Sequence, residues 1–186
     1  MLETSGDLGS NLIMSESPGG ASFLFGGMMK RQVTLCLLVK DNQVLLGMKK
    51  TGFGNGRYNG FGGKQKDGQT IPQAAVRELR EECGVFTEEQ HLHKVGELDF
   101  QFPKKPEWNQ IMHIYFVKQW TGEPRETPEM TAEWFAREDV PYDRMWEADA
   151  HWLPLVLAGH YVKGSYIYSE EQKLLEKNIE TSLLRK

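Results

Sequence analysis

The sequence predicts an α+β fold, a mixed β-sheet core sandwiched by about two helices. Three observations carry that prediction. Runs rich in β-branched and aromatic residues recur along the chain, and several alternate apolar with polar positions, which is strand patterning. Only two stretches outside the C-terminus combine helix formers with start or stop signals. No internal repeat runs through the 186 residues, a length that suits one domain with a sizeable core.

The elements follow in order. "RQVTLCLLVKDNQVLLGMKK" (31–50) reads as a β-hairpin turning at Asp41-Asn42, residues that tolerate the positive φ of a tight turn. A glycine-rich loop follows. Thr70 then opens a helix, with Gln73 completing a capping box, Pro72 tolerated in the first turn and Gly84 as the stop. In "HKVGELDFQF", Leu98, Phe100 and Phe102 alternate with Asp99 and Gln101, a half-buried strand. "QIMHIYFVKQW" reads as its antiparallel neighbour across a loop of Pro103 to Pro106, and "AEWFA" as a short strand. "DAHWLPLVLAG" reads as the second helix, with Pro154 near its first turn. The C-terminal "SEEQKLLEKNIETSLLRK" is open: Leu175, Ile179 and Leu183 recur every four residues, which suits a helix, yet a strand also fits.

Composition excludes several classes. The net charge is −4 and no basic block appears, which argues against an electrostatic nucleic-acid clamp. No apolar run approaches the roughly 18 residues of a membrane span. Cys36 and Cys83 stand apart, without CxxC or zinc spacing, and read as buried free thiols suited to a reducing compartment. Residues 1–29 are rich in Gly and Ser, carry three acids and no Lys or Arg, and read as a disordered tail before a domain at 30–186. They match neither a secretory signal nor a mitochondrial presequence. A cytoplasmic protein is expected, with nucleus and mitochondrion open as further sites.

The chemistry concentrates in one place. Residues 52–68 hold seven glycines, and the helix directly after them carries Arg77, Glu78, Glu81 and Glu82. Spacings of three and four put the three carboxylates on one helix face, where like charges repel unless something offsets them. A divalent cation would do so, and an all-oxygen set points to Mg²⁺ or Mn²⁺. Gly62 and Gly63 free the backbone for close approach, and Lys64 adds a positive charge for a polyphosphate. The loop is neither common phosphate motif: Tyr58 and Gln65 break GxxxxGK[ST], and Arg57 breaks GxGxxG.

"GGKQKDGQTIPQAAVRELREECGV" resembles a Nudix box, with Gly63, Arg77, Glu78, Leu79, Glu81, Glu82, Gly84 and Val85 in place and Gln69 where the box has its first Glu. From about Val33 to Tyr168 the chain is further similar to the MutT-homologue branch, through "QVLLGMKKTGFGNGRYNGFGGK", "HKVGELDFQF", "TPEM" and "VPYDRMWEADAHWLPLVL". The resemblance implies a Nudix fold and a monomeric, Mg²⁺-dependent hydrolase. Its substrates would be oxidised purine nucleoside triphosphates such as 8-oxo-dGTP and 2-hydroxy-dATP. It implies that Glu78, Glu81, Glu82 and Glu129 bind metal with the Gly62 carbonyl, that Arg77 orients a carboxylate, and that Glu81 or Glu82 is the base. It implies a substrate site of Thr34, Lys49, Asn59, Phe61, Gly62, Gly63, Lys64, Phe100, Phe102, Trp146 and Asp149. Phe100 and Phe102 fit an ordinary core equally well. Two departures touch function: Tyr58 replaces a Trp, and Ala148 stands where the branch has the first of two adjacent acids. Ala148 leaves methylated or unmodified purine nucleotides open as substrates. Gln69 leaves open a nucleotide-binding module with weak turnover.

Overall fold

The computed structural model describes residues 30–52 and 54–184, so the tail expected at 1–29 lies outside the described residues. Strands β1 (Arg31–Lys40) and β2 (Gln43–Lys49) form the hairpin, and Asp41 and Asn42 both take positive φ (49° and 64°), the tight turn their side chains tolerate. A two-residue strand β3 (Tyr58–Asn59) follows, then α1 (Ile71–Cys83), β4 (Leu92–Gln101), β5 (Gln110–Val117), β6 (Met130–Ala136), α2 (Asp149–Leu157), β7 (His160–Tyr168) and β8 (Leu174–Leu183). The sheet order is β3-β2-β1-β5-β4-β7-β8, with β6 pairing the other edge of β2. β1 pairs β5 and β4 pairs β7 in parallel, while the remaining pairings are antiparallel, so the sheet is mixed as expected.

Two apolar clusters occupy the two faces. Cys36, Leu38, Leu45, Phe61, Leu79 and Val85 pack under α1, while Leu35, Leu37, Ile114, Trp152, Leu153 and Tyr166 pack under α2. Alternate residues of β1 feed opposite clusters because successive side chains point to opposite faces. The α1 start is as read: the Thr70 hydroxyl accepts from the Gln73 N–H at 3.2 Å and the Gln73 side chain accepts from the Thr70 N–H at 3.0 Å. Gly84 ends the helix in the left-handed region at φ 76°.

Two local readings change. Pro154 lies in the middle of α2 rather than in its first turn. The helix keeps its course because Trp152, Leu153, Val156 and Leu157 are all buried, which outweighs one absent N–H. The C-terminal segment is a strand. It zips along β7 from His160 opposite Leu183 to Tyr168 opposite Leu174, and its four-residue leucine spacing marks no buried face: Leu175 and Leu183 are exposed, while Leu174 and Ile179 pack on the core.

Candidate active site

The glycine loop runs antiparallel along β1. Cys36 and Phe61 exchange both backbone hydrogen bonds (2.6 and 2.9 Å), the Thr34 N–H donates to the Gly63 carbonyl (2.9 Å), and the Gln65 N–H donates to Gln32 (2.9 Å). This is why glycine is required. A Cβ on Gly62 would lie 1.9 Å from the Thr34 carbonyl oxygen, and one on Gly63 would lie 2.4 Å from Glu78 Oε1. The chain therefore passes between β1 and α1 with no room for a side chain.

That passage delivers backbone to the carboxylates. The Gly62 N–H donates to Glu82 Oε2 at 2.7 Å, and Lys49 Nζ stands 3.9 Å from Glu82 Oε1. Glu82 is only 2% exposed, and burial raises its carboxyl to about 7 despite those two partners. Burial also raises Glu78, with the neighbouring Arg77 opposing. Arg77 ties the acids to the loop: its guanidinium meets Glu78 Oε1 (2.8 Å) and Glu81 Oε2 (2.7 Å) and donates to the Lys64 carbonyl (2.9 Å) and Gln69 Oε1 (3.3 Å). Gln69 thus still supplies an acceptor to Arg77, though an uncharged one. Glu129 joins from the other side. The Thr127 hydroxyl donates to the Glu82 backbone carbonyl at 3.0 Å, and the Glu129 charge acts on Glu82.

The carboxylates suit a hard divalent cation, since they bring only oxygen donors and too much negative charge for their burial. Glu78, Glu81, Glu82 and Glu129, with the Gly62 carbonyl, are the groups that would hold it. Among the described residues no three acidic, His or Cys groups close on one centre.

The other expected residues divide into two groups. Thr34 is buried with its hydroxyl at 3.4 Å from the Gly63 carbonyl, Asn59 Oδ1 accepts from the Gly60 N–H at 2.9 Å, and Lys64 is exposed on the loop. Phe61 is placed differently from the expectation: its ring is fully buried in the α1 core, so only its backbone faces the loop. Phe100, Phe102, Trp146 and Asp149 gather on the α2 side. Phe100 and Phe102 are half-buried, each with its ring stacked on a tyrosine of β7, and so serve both the core and an open face. Asp149 is 4% exposed and accepts from the Trp146 N–H (3.1 Å) and Trp152 Nε1–H (2.9 Å), and burial raises its carboxyl to about 7.

Sequence reasoning missed Arg57. Its Nη1 donates to the Met145 carbonyl (2.6 Å), its guanidinium lies 4.7 Å over the Trp146 ring, and its charge acts on Asp149. A Cβ on Gly54 would lie 3.3 Å from Trp146. The only arginine among the loop's glycines was the available signal. The first half of the loop thus touches Trp146 and the second half touches Glu78 and Glu82.

A mixed sheet between two helices, with a glycine loop feeding a carboxylate helix, is the architecture of a hydrolase family. The chain belongs to the Nudix family: the NUDIX domain profile matches residues 28–156. It is similar to the oxidized purine nucleoside triphosphate hydrolase of Mus musculus, with 40% identity over 149 residues, 80% of this chain and 94% of the relative. The protein of the same name in Danio rerio is 40% identical over 148 residues, covering 80% and 93%. The solved structure of the mutator MutT protein from Bacillus halodurans superposes with a TM-score of 0.71 at 24% identity, covering 81% of this chain and 97% of that one, which supports the shared fold. Nudix hydrolases generally use a divalent metal, consistent with the oxygen-donor set here. No helix among the described residues is long and apolar enough to cross a membrane.

Proposed function

We propose that this enzyme hydrolyses oxidised purine (deoxy)nucleoside triphosphates, 8-oxo-dGTP and 2-hydroxy-dATP among them, to monophosphate and pyrophosphate in a Mg²⁺-dependent reaction that cleanses the nucleotide pool. The observation that carries the substrate class is the pairing of half-buried Trp146 with buried Asp149. An indole face stacks on a purine, and a carboxyl poised near neutrality can donate to or accept from its edge. The names of the mouse and zebrafish relatives support the same class.

The residues take these roles. Glu78, Glu81, Glu82 and Glu129 would hold the cation, which would offset the triphosphate charge and make a nucleophile easier to form from water. Arg77 orients Glu78 and Glu81, Lys49 and Lys64 offset phosphate charge, and Glu81 or Glu82 accepts the proton from water. Thr34 and Asn59, beside the loop, contact the nucleotide. Ala148 favours keeping O6-methyl-dGTP and dGTP as competing substrates. The working unit is residues 30–186, acting as a monomer on a small-molecule substrate without nucleic acid or membrane. A cytoplasmic setting is supported by two buried free cysteines, Cys36 and Cys83.

The test is pyrophosphate release from 8-oxo-dGTP, 2-hydroxy-dATP, O6-methyl-dGTP and dGTP, with and without Mg²⁺, with Glu82→Gln as control. Faster turnover of the oxidised nucleotides than of dGTP, lost in the control and without metal, is expected. Preference for O6-methyl-dGTP or dGTP would move the substrate, and binding without turnover would make the protein a nucleotide-binding module.

A further inference from the structure

Residues 125–130 are stitched onto the C-terminal end of α1. The last carbonyls of a helix have no partner within it. Here the Arg125 N–H donates to the Cys83 carbonyl at 3.0 Å, and the Thr127 hydroxyl donates to the Glu82 carbonyl at 3.0 Å. The Thr127 oxygen also accepts from the Glu129 N–H (3.3 Å) and the Met130 N–H (3.1 Å), so its one donor and two acceptor positions are all used. The Thr127 N–H donates to the Met130 carbonyl at 2.9 Å, which closes a tight turn, and Pro128 fixes a backbone angle inside it. Lys50 grips the same turn. Its N–H donates to the Glu129 carbonyl (2.9 Å), and its ammonium donates to the Thr127 carbonyl (2.9 Å) and pairs with Glu126. The strands are in register where the turn ends: Met130 lies opposite Lys49, whose Nζ stands 3.9 Å from Glu82 Oε1. One hydroxyl thus ties the backbone of buried Glu82 to the backbone of exposed Glu129.

We propose that Thr127 is a positioning residue for the divalent cation, its hydroxyl setting the Glu129 turn against the end of the carboxylate helix. This rests on the reading above that Glu82 and Glu129 hold the cation. Mg²⁺ demands near-ideal octahedral geometry with oxygens at about 2.1 Å, so a carboxylate carried on a loose turn is a poor ligand. Groups that hold a ligand in place count in metal affinity although they never touch the ion. Valine in place of Thr127 keeps the branched shape but leaves the Glu82 carbonyl and two N–H groups without this partner. Serine keeps the hydroxyl.

The experiment titrates the full chain with Mn²⁺ alone, without nucleotide, and follows the free ion by electron paramagnetic resonance. It compares wild type with Thr127→Val, Thr127→Ser, Glu129→Gln and the Thr127→Val/Glu129→Gln double variant. Thr127→Val should weaken Mn²⁺ binding roughly 10-fold, and Thr127→Ser should stay near wild type. Glu129→Gln should weaken binding as well, and adding Thr127→Val to it should weaken it no further. Affinity unchanged in Thr127→Val overturns the proposal. An equal loss in the Glu129→Gln background also overturns it, since the hydroxyl then acts through the end of α1 and not through Glu129. Where the valine variant does not fold, Thr127→Cys takes its place, a weak thiol donor and acceptor of similar reach: the same loss is expected, and no loss overturns the proposal. If Glu129→Gln binds Mn²⁺ as wild type does, the reading of Glu129 as a cation-holding group fails, and the proposal with it, whatever Thr127→Val shows.

Discussion

Asp149→Asn tests the electrostatics of the proposed base site without any substrate. In the folded protein burial raises the Asp149 carboxyl from 3.8 to about 7, while the unfolded chain loses that proton near its ordinary value. Between these two values folding takes up a proton. The contribution of Asp149 to stability is therefore fully present below pH 3.8, falls as pH rises, and levels off above about 7. Linkage over the window from about pH 5 to about pH 8.5 gives a fall of roughly 2–3 kcal/mol from this one group. Asparagine does not titrate. It also keeps one acceptor for two donors, the Trp146 N–H and the Trp152 indole N–H, so the hydrogen-bond part of its deficit should be about 1–3 kcal/mol and independent of pH. The deficit of the variant should accordingly shrink by roughly 2–3 kcal/mol as pH rises through the window. Urea unfolding of both proteins at stepped pH, in the presence of a chelator, measures it. Taking the difference between the proteins cancels other titrating groups, Glu82 among them. A difference that stays constant with pH would show that Asp149 is already ionised at pH 5, and the argument from burial would fail.

Four further outcomes follow from the site. Glu82→Gln removes a buried charge, so activity should drop roughly 100-fold or more while the metal-free thermal midpoint holds or rises; parallel loss of both would refute a metal role. Gly62→Ala and Gly63→Ala should separate by what each methyl meets. The first strikes the Thr34 backbone and should destabilise by about 1–3 kcal/mol or more, whereas the second displaces the end of the Glu78 side chain and should cost activity before stability, as circular dichroism melts beside turnover would show. Gln69→Glu turns the contact to Arg77 into a charge-assisted bond and should raise both stability, by about 0.5–1 kcal/mol, and activity; a fall in either argues that Arg77 is already saturated by Glu78 and Glu81. Arg57→Gln should raise KM for the nucleotide by loosening Trp146 while leaving the Mg²⁺ concentration dependence unchanged in a metal titration of turnover.

How much of this was legible in the sequence depended on how local the cause was. The hairpin turn at Asp41-Asn42, the Thr70 capping box and the Gly84 stop are decided within a few residues, and each appears as read. The three acids of α1 were legible because helical spacing alone puts them on one face. What stayed hidden is non-local. The C-terminal strand is helical by propensity and becomes β8 only because the free edge of β7 offers a partner along its whole length. Phe61 sits among loop residues of the site, but its ring follows the alternation that sends it into the α1 core. Arg57 gains meaning only when chain segments far apart in sequence meet, since it reaches Met145 and Trp146.

The same non-locality explains why the glycine loop must be both open and fixed. Its first half carries Arg57 to the Trp146 ring, and its second half carries the Gly62 N–H to Glu82. The two contacts lie toward opposite helices, so a single short segment links the Trp146 side to the carboxylate side. Thr34, Cys36 and Gln32 of the β1 region hold its second half by backbone hydrogen bonds. Asn55 and Arg57 close its first half on Gly52 and Gly54. Glycine is needed for the close passages, but the hydrogen bonds remove the freedom glycine would otherwise bring. With the base bound at Trp146 as proposed, the two ends share one backbone, and a substitution at either end should be felt in the kinetics of the other.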